Sequence, residues 1–320
     1  MNSDRIFIVD GRLRPIWRFL LALVLLFAAL SVCGVTVGLA FQLLRVRPEP
    51  MAALFWGGLV TLAAILAAFK LLTAVFERRP LGSVGLAFHP RWWRELGYGL
   101  AVGAVMILAV VMLERAAGFA QFTFTPHPML RAGAFSFLLL AVAATNEEAI
   151  FRGYLFQRLV ESITPLGAIA VSSALFGLGH LANPHHTWIS TINTMLVGIP
   201  FAITYLRTRS LWMPIGMHFI WNFLLGFFLG LPVSGLMFRA SVLQARVHGA
   251  AWLTGAEYGP EGGLLATGVI VAATLYLSLS KRIYMSEEMK ALVFAPVESS
   301  WPDPPITIFP GPPEGEAKRD

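Results

Sequence analysis

The chain has 320 residues, of which 57% are hydrophobic and only 13% are charged, and its mean hydropathy is +0.69. This composition excludes an ordinary soluble globular protein and indicates an integral membrane protein. The formal net charge of +6 does not call for a nucleic-acid partner, because no module of interleaved basic and aromatic residues accompanies it.

Apolar segments divide the chain into potential membrane-spanning helices, since about 20 helical residues cross the hydrocarbon core of a bilayer. In chain order these segments are 19–44, 51–76, 96–113, 131–157, 166–181, 187–206, 210–238 and 263–280. The fifth is the shortest and is bounded by Thr164-Pro165 and Asn183-Pro184, which are signals for helix ends. The sequence therefore predicts an all-α, polytopic membrane bundle of eight transmembrane helices.

The first apolar segment is expected to remain in the protein as a helix. It is about 26 residues long, against about 7–15 for the apolar region of a signal peptide, and no small-residue cleavage pattern follows it. The single cysteine, Cys33, lies inside this segment, so neither a disulfide framework nor a cysteine metal site is expected.

The basic residues indicate how the bundle is oriented. Of the 24 Lys and Arg residues, Lys70 and Arg152 fall inside predicted helices and six fall on one side of the bundle, whereas the others share the side of both termini. The six are Arg45, Arg47, Arg115, Arg131, Arg239 and Arg246. Cytoplasmic loops carry the excess of basic residues, so both termini are predicted to be cytoplasmic. A bacterial cytoplasmic membrane is the expected location.

Three regions are predicted along the chain. Residues 1–76 hold the N-terminal transmembrane helices, residues 77–285 hold the core, and residues 286–320 form a polar, proline-rich cytoplasmic tail that is expected to be disordered. Between the second and third helices, residues 78–96 are typical of an amphipathic linker at the lipid headgroups. Residues 240–260 are expected to form an external loop.

The stretch "ATNEEAIFRGYLF", residues 143–155, places two glutamates and an arginine inside a predicted membrane helix, where ionised groups are costly. Glu148 and Arg152 are four residues apart and share a helix face, so each can neutralise the other. Glu147 points about 100° away from Glu148. One carboxylate is therefore left for another task.

The other intramembrane polar groups are predicted to lie at a similar depth. Counted from the nearest predicted cytoplasmic helix ends at about 1.5 Å per residue, Glu147, His218 and His180 lie roughly 16, 14 and 22 Å deep. Asn222 follows His218 by one helical turn. A carboxylate that accepts a proton from water, with imidazoles that bind a metal or donate to an oxyanion, indicates hydrolysis.

These residues also carry a resemblance to a known family. The stretches "EEAIFR" (147–152), "FGLGH" (176–180) and "HFIWN" (218–222) match, in order, the EExxxR, FxxxH and HxxxN motifs of the CAAX-protease and bacteriocin-processing family of intramembrane endopeptidases. The resemblance covers about residues 75–280. It implies a helical bundle whose motifs surround a cavity that is open to the cytoplasmic side or to lipid.

The resemblance also implies roles for the site residues. Glu147 would activate water, and Asn222 would stabilise the oxyanion. His180 and His218 would be metal ligands or catalytic partners, while Glu148 and Arg152 would support the site. A divalent metal, zinc foremost, would be held by His180, His218 and Glu147, although the usual HExxH zinc-protease signature is not present. The implied substrate is a membrane-associated or lipidated protein or peptide, cleaved in CAAX-type or propeptide processing.

Structural interpretations of the same residues remain open. The Glu148–Arg152 pair alone could clasp helices together, and His218 with Asn222 could form an interhelical hydrogen bond. His185 and His186 are expected to be solvated loop residues. At the level of function, a catalytically silent membrane scaffold or immunity factor is the alternative to a protease. A proton-coupled transporter is disfavoured because no inverted repeat is evident.

Overall fold

The computed structural model describes residues 4–9, 12–125, 130–238 and 240–294, and these residues are largely helical. The α-helices are α1 Asp4–Phe7, α2 Pro15–Leu43, α3 Pro50–Leu72, α4 Trp92–Ala116, α5 Leu130–Arg152, α6 Tyr154–Ser162, α7 Pro165–Leu178, α8 Trp188–Thr208, α9 Trp212–Phe223, α10 Ala251–Thr254, α11 Leu264–Leu279 and α12 Glu287–Phe294. The strands are β1 Ile8–Val9, β2 Arg12–Leu13, β3 Ala120–Phe124 and β4 Leu243–Val247, paired antiparallel as β1–β2 and β3–β4.

Six helical stretches of the described chain are long and apolar enough to cross a membrane. They are Pro15–Leu43, Pro50–Glu77, Trp92–Ala116, Leu130–Ser162, Trp188–Thr208 and Trp212–Leu229. Helices α7 and α11 are apolar but shorter, with 14 and 16 residues. The predicted helical membrane bundle is thus confirmed, while the count of eight spanning helices and the orientation of the termini stay predictions.

Two predicted helices are broken or end early. The segment 131–157, predicted as one helix, forms two: α5 ends at Arg152 and α6 begins at Tyr154. The helix is interrupted because Gly153 between them adopts φ −77° and ψ −131°, outside the helical region. The segment predicted over 210–238 is wrong beyond Leu229: α9 continues as a π-helix over Leu224–Leu229, and Gly230 then takes a left-handed conformation at φ +67°.

The two helices that flank the site begin at well-defined caps. Thr164 accepts a hydrogen bond from the Gly167 backbone N–H at the start of α7, with Pro165 in the first turn. Thr187 and Ser190 form a reciprocal capping box at the start of α8. The Thr187–Ser190 capping box ends the connection between α7 and α8, which lies beside the site.

Helices α4 and α9 pack closely through two glycines. A Cβ atom at Gly99 would lie 2.2 Å from the carbonyl oxygen of Met213, and one at Gly103 would lie 2.4 Å from that of Met217. Gly99 and Gly103 are four residues apart on α4, the small-xxx-small spacing that lets membrane helices approach. This contact holds α9, which carries His218 and Asn222, against α4.

A charged network joins the N-terminal helices to the core. Glu77 accepts from Arg18 Nη1 at 2.7 Å and from the Tyr154 hydroxyl at 3.0 Å, and its carboxylate lies 2.8 Å from Arg158 Nη1. Near the other terminus, α12 lies at the start of the predicted tail, and Arg79 Nη1 donates to the Leu292 carbonyl at 2.7 Å. The rest of that tail, 295–320, lies outside the described residues.

Candidate active site

The centre of the bundle holds a fully buried ion pair. Arg152 Nη1 lies 3.2 Å from Glu148 Oε1, and both side chains are 0% exposed. Arg152 Nη2 also donates to the Gly198 carbonyl at 3.2 Å, and the guanidinium lies 4.4 Å from the centre of the Phe176 ring. The pairing expected from the i, i+4 spacing is therefore present, and it is extended by a backbone acceptor and an aromatic ring.

His218 completes this buried cluster from α9. Its Nδ1 atom lies 2.8 Å from Glu148 Oε1, and its ring stacks on Phe201 with centroids 5.4 Å apart. Because a carboxylate accepts hydrogen bonds, the Nδ1 atom of His218 carries the proton of this contact. Glu148 therefore receives donors from two helices, α5 and α9.

Glu147 lies next to this cluster but is not part of it. Its Oε2 atom is 3.7 Å from His180 Nε2 and 3.9 Å from His218 Nε2, and its side chain is 33% exposed. This oxygen is buried yet has no hydrogen-bond partner among the described residues. The two glutamates thus have opposite environments, since Glu148 is paired and Glu147 faces two imidazoles across a gap.

Both imidazole rings face Glu147 with their Nε2 atoms. His180 Nδ1 lies 2.7 Å from the Phe176 carbonyl, which can only accept, so the proton of this ring is on Nδ1. In a neutral His180 the Nε2 atom then carries a free lone pair. His218 is held in the same way by Glu148, so hydrogen bonding at Nδ1 sets the tautomer of both rings.

These groups line one cavity of about 400 Å³. Asn222, one turn beyond His218 on α9, lines the same cavity and is 9% exposed. Much of the remaining wall is apolar, including Leu140, Val197 and Ile270. The structure therefore brings the predicted residues Glu147, His180, His218 and Asn222 to one cavity, with Glu148 and Arg152 buried behind it.

Sequence reasoning missed Glu261, a further carboxylate on the cavity wall. Its Oε1 accepts from Trp221 Nε1 at 2.8 Å, and its Oε2 accepts from the Ser234 backbone N–H at 2.5 Å and the Ser234 hydroxyl at 3.0 Å. Burial raises the pKa of the Glu261 carboxyl, while its Ser234 and Trp221 donors oppose that shift. No motif marks this residue, and "GPEGG" reads as a loop.

Two other predictions concern residues outside the cavity. His185 is exposed and its Nδ1 atom lies 2.9 Å from Glu257 Oε2, and His186 is exposed as well, so both are loop residues as expected. The sequence predicts a snorkelling or interfacial position for Glu114, near the end of α4, and this stays a prediction. The residue is 0% exposed, and neither carboxylate oxygen has a hydrogen-bond partner among the described residues.

The chemistry of the donor set suits a metal only in part. Two imidazole Nε2 atoms and a carboxylate oxygen face one another, and each Nδ1 has the carbonyl or carboxylate partner that orients metal-binding histidines. In the described parts of the chain, however, no group of three or more His, Cys, Asp or Glu side chains is arranged to hold a metal ion. A metal at His180, His218 and Glu147 therefore stays a proposal.

Comparison with known proteins supports a peptidase. The family model described as "Type II CAAX prenyl endopeptidase Rce1-like" matches residues 130–224. A Bacillus subtilis (strain 168) protein named "Putative membrane peptidase YdiL" is 37% identical over 76 residues, which are 24% of this chain and 29% of that protein. The match thus spans less than a third of that relative. No solved structure matches the chain.

The described residues form a helical membrane bundle that encloses a cavity lined by polar groups. The segment that matches the family model, 130–224, contains every motif residue from Glu147 to Asn222. Over this segment the chain is similar to the type II CAAX prenyl endopeptidase Rce1-like family.

Proposed function

We propose that this protein is an intramembrane endopeptidase that hydrolyses a peptide bond of a membrane-associated or lipidated protein or peptide. The observation that carries the proposal is the separation of roles between adjacent glutamates. Glu148 is paired with Arg152 and His218, whereas Glu147 Oε2 has no hydrogen-bond partner among the described residues and faces both Nε2 atoms. A purely structural ion pair does not require this second carboxylate.

The gap between Glu147 and His180 suits one water molecule. At 3.7 Å, the Oε2 and Nε2 atoms are too far apart for a direct hydrogen bond, and both accept hydrogen bonds when Glu147 is ionised and His180 is neutral. A water in contact with both would donate one proton to each acceptor and turn its lone pair towards the cavity. Glu147 would take the first proton as the water oxygen attacks the peptide carbonyl.

The same arrangement accounts for the rest of the reaction. The attack forms a carbon–oxygen bond and places negative charge on the former carbonyl oxygen. The Asn222 amide and a protonated His218 Nε2 would donate to that oxyanion, because both groups line the cavity on α9. When the intermediate collapses, the carbon–nitrogen bond breaks, and Glu147 returns its proton to the leaving amine.

Glu148 and Arg152 act in this proposal by positioning His218. The Glu148 carboxylate fixes the His218 ring through Nδ1 at 2.8 Å and would stabilise the imidazolium form while it donates from Nε2. Arg152 balances the charge of Glu148, and the side chains of both residues are 0% exposed. Neither residue contacts the reacting atoms.

A divalent metal, zinc foremost, remains a further proposal for His180, His218 and Glu147. Such an ion, when bound, would lower the pKa of a water molecule and make it a better nucleophile. Plasma mass spectrometry of purified wild type and of a His180→Ala, His218→Ala double variant tests it. About one zinc per chain that disappears in the variant supports the proposal, and metal-free, folded and active wild-type protein contradicts it.

The proposed setting is a bacterial cytoplasmic membrane, with a catalytic core in residues 77–285. The family description points to prenylated CAAX proteins as one substrate class, and peptide or propeptide processing is another. Lipidation of the substrate is part of the proposal, and the protein partners are the substrates themselves.

Terminal proteomics tests the proposed function while the substrate is still unidentified. Membranes from cells that express wild type should contain peptide termini that are missing when the cells express Glu147→Gln. Loss of the general base should slow cleavage about 100- to 10,000-fold. The matched control is Glu257→Gln, which removes an exposed carboxylate outside the cavity and should leave the new termini unchanged.

The outcome of this experiment separates protease from scaffold. Identical termini in the wild-type and Glu147→Gln samples, with both proteins folded and present at equal levels, would contradict the proposal. If the Glu147→Gln, His218→Ala double variant still rescues the phenotype of cells that lack the protein, the catalytically silent scaffold is favoured.

A further inference from the structure

We infer that the cavity is open at the membrane face opposite to the two termini, so that the substrate is a non-cytoplasmic segment of an exported or membrane-anchored protein or peptide. This inference rests on the proposed function for the identity of the cavity as a catalytic site. It differs from the cavity open to the cytoplasmic side or to lipid that the family resemblance implies. Four observations on the described residues, and the distribution of charge along the sequence, support it.

The cavity is closed at the end nearest to the termini. Three aromatic side chains on its wall, Phe151, Phe176 and Phe201, have ring centres within 5.8 Å of the Arg152 guanidinium. Past Arg152 along the chain, Tyr154 and Phe156 are almost completely buried. This end therefore consists of a packed aromatic layer around a buried cation.

The opposite end is lined by connecting segments. Asn183 follows α7, Ser234 and Leu236 follow the π-helix, and Glu261 precedes α11, and all four line the cavity. On α5, Glu147 is 33% exposed, whereas Arg152, which lies nearer the closed end, is 0% exposed. The accessible end is therefore the end formed by these connections.

Two of the connections meet at this end. A Cβ atom at Gly235 would lie 2.0 Å from the Pro184 carbonyl oxygen, and Gly235 has φ +85°, which favours glycine. The adjacent residues Leu236 and Met237 are 39% and 56% exposed. We call the residues 183–187 and 234–237 the rim of the cavity.

The length of α7 brings the rim close to the site. Its 14 residues span about 21 Å, less than the roughly 30 Å hydrocarbon core, so the chain leaves the helix inside the membrane just before His180. Non-helical backbone at such depth is tolerated where it borders a cavity instead of lipid. The rim thus gives the catalytic groups a short path to one face.

The distribution of Lys and Arg residues indicates on which side of the membrane the rim lies. The closed end carries Arg158 on α6, Arg207 in the last turn of α8 and Arg209 after it. The sequences 179–187 and 230–263 carry only two Lys or Arg residues, Arg239 and Arg246. The N-terminal arginines and Lys281 lie on the side of the closed end as well, since α2 begins and α11 ends there. The excess of basic residues marks the cytoplasmic face, so the rim is non-cytoplasmic.

The cavity also limits the chemistry of the substrate. Its wall is largely apolar, with Leu140, Val197, Leu236, Phe238 and Ile270 around the polar groups. About 400 Å³ accommodates a few side chains and not a folded domain. The fitting substrate is an extended peptide segment with apolar residues beside the scissile bond, presented at the outer membrane–water boundary.

Cysteine accessibility tests the inference directly. In a Cys33→Ser background, three single variants are made: His186→Cys at the rim, Leu236→Cys on the cavity wall and Lys281→Cys at the closed end. Each is treated with a membrane-impermeant sulfonated maleimide in right-side-out and in inside-out membrane vesicles. Labelling in detergent shows that each thiol is reactive, and thermal unfolding shows that each variant is folded.

We expect His186→Cys and Leu236→Cys to be labelled at least tenfold faster in right-side-out vesicles, and Lys281→Cys to show the reverse. Labelling of His186→Cys only in inside-out vesicles would overturn the assigned orientation. Labelling of Leu236→Cys from the same face as Lys281→Cys, or from neither face, would overturn the position of the opening.

This test is independent of catalysis. The labelling pattern should be the same when Glu147→Gln is added to each variant, because access does not require cleavage. If Glu147→Gln abolishes cleavage but the rim is labelled from the cytoplasmic side, the inference fails and the proposed function stands. If the rim is labelled from outside but Glu147→Gln cleaves normally, the proposed function fails.

Discussion

Two adjacent glutamates lie in different environments, on the buried floor of the site, formed by Glu148, Arg152 and His218, and on its accessible side, where Glu147 lies. On the floor, Glu148 is 0% exposed and lies within hydrogen-bond distance of Arg152 and His218. On the accessible side, Glu147 is the preceding residue in the chain, yet it stands 3.7 and 3.9 Å from the nearest imidazole nitrogens. The environment, and not the residue type, separates a structural carboxylate from a candidate general base.

This difference explains why the membrane tolerates so much charge. A buried carboxylate is costly unless it is paired and hydrogen-bonded, and Glu148 has both kinds of partner. With that charge balanced, the helix can carry Glu147 on its adjacent face. In the proposed function, the floor would support the accessible side.

Removal of the floor cation should have the largest effect on stability. Arg152→Leu leaves the Glu148 carboxylate buried without its cation, which should lower the free energy of unfolding by about 3–5 kcal/mol. Thermal or denaturant unfolding in detergent measures this change. The control is Arg115→Leu, an exposed arginine at the end of α4, for which a change within about 0.5 kcal/mol is expected. Equal effects of the two changes would contradict the role of the floor.

Loss of the carboxamide on the accessible side should reduce turnover without destabilising the protein. Asn222→Ala removes a proposed donor to the oxyanion, so kcat should fall about 100- to 1000-fold. The measurement is cleavage of a substrate identified by terminal proteomics, with KM determined separately. Asn183→Ala is the matched control, because it removes a carboxamide at the rim. A fall in kcat no larger for Asn222→Ala than for this control would argue against oxyanion donation.

Glu261 should act on the site through Trp221, as a positioning residue. Glu261→Gln replaces an acceptor by a group that cannot accept from both Trp221 and Ser234, and hydrogen bonds to charged groups contribute about 1.5–3 kcal/mol. We expect kcat to fall about tenfold with little change in KM. Trp221→Phe should have a similar effect, and the double variant should lose no more than the larger single loss. Additive losses would show that the two residues act independently.

The smallest effect is expected at His185, an exposed histidine of the rim. His185 pairs with Glu257 at the surface, where ion pairs contribute little, so His185→Ala should leave cleavage, metal content and unfolding temperature unchanged. Measurement of all three checks this. A loss of metal or of activity would place His185 in the site, against the observed geometry.

Much of the fold and of the site could be predicted because the sequence encodes them locally. Long apolar runs predict membrane helices whatever their neighbours are. The i, i+4 spacing of Glu148 and Arg152 predicts a shared face, and the two side chains lie 3.2 Å apart. Counting residues from the predicted helix ends also places Glu147, His180 and His218 at a similar depth, and they do line one cavity.

The features that sequence reasoning missed depend on tertiary contacts. The break at Gly153 contains no proline, and the pairing of β3 with β4 joins segments more than 100 residues apart in the chain. Glu261 contacts Trp221 only because the connection before α11 folds back over α9. Such partners have no local signal in one sequence. The positions of these residues had to come from the structure.

A comparison of Glu147→Gln with Glu148→Gln most directly tests the division of roles between the two glutamates. Both changes neutralise one of two adjacent carboxylates, and each purified variant is measured for cleavage rate and for Tm. We expect Glu147→Gln to lose cleavage and keep the wild-type Tm, whereas Glu148→Gln should lower Tm. Cleavage at the wild-type rate by folded Glu147→Gln would contradict the central claim.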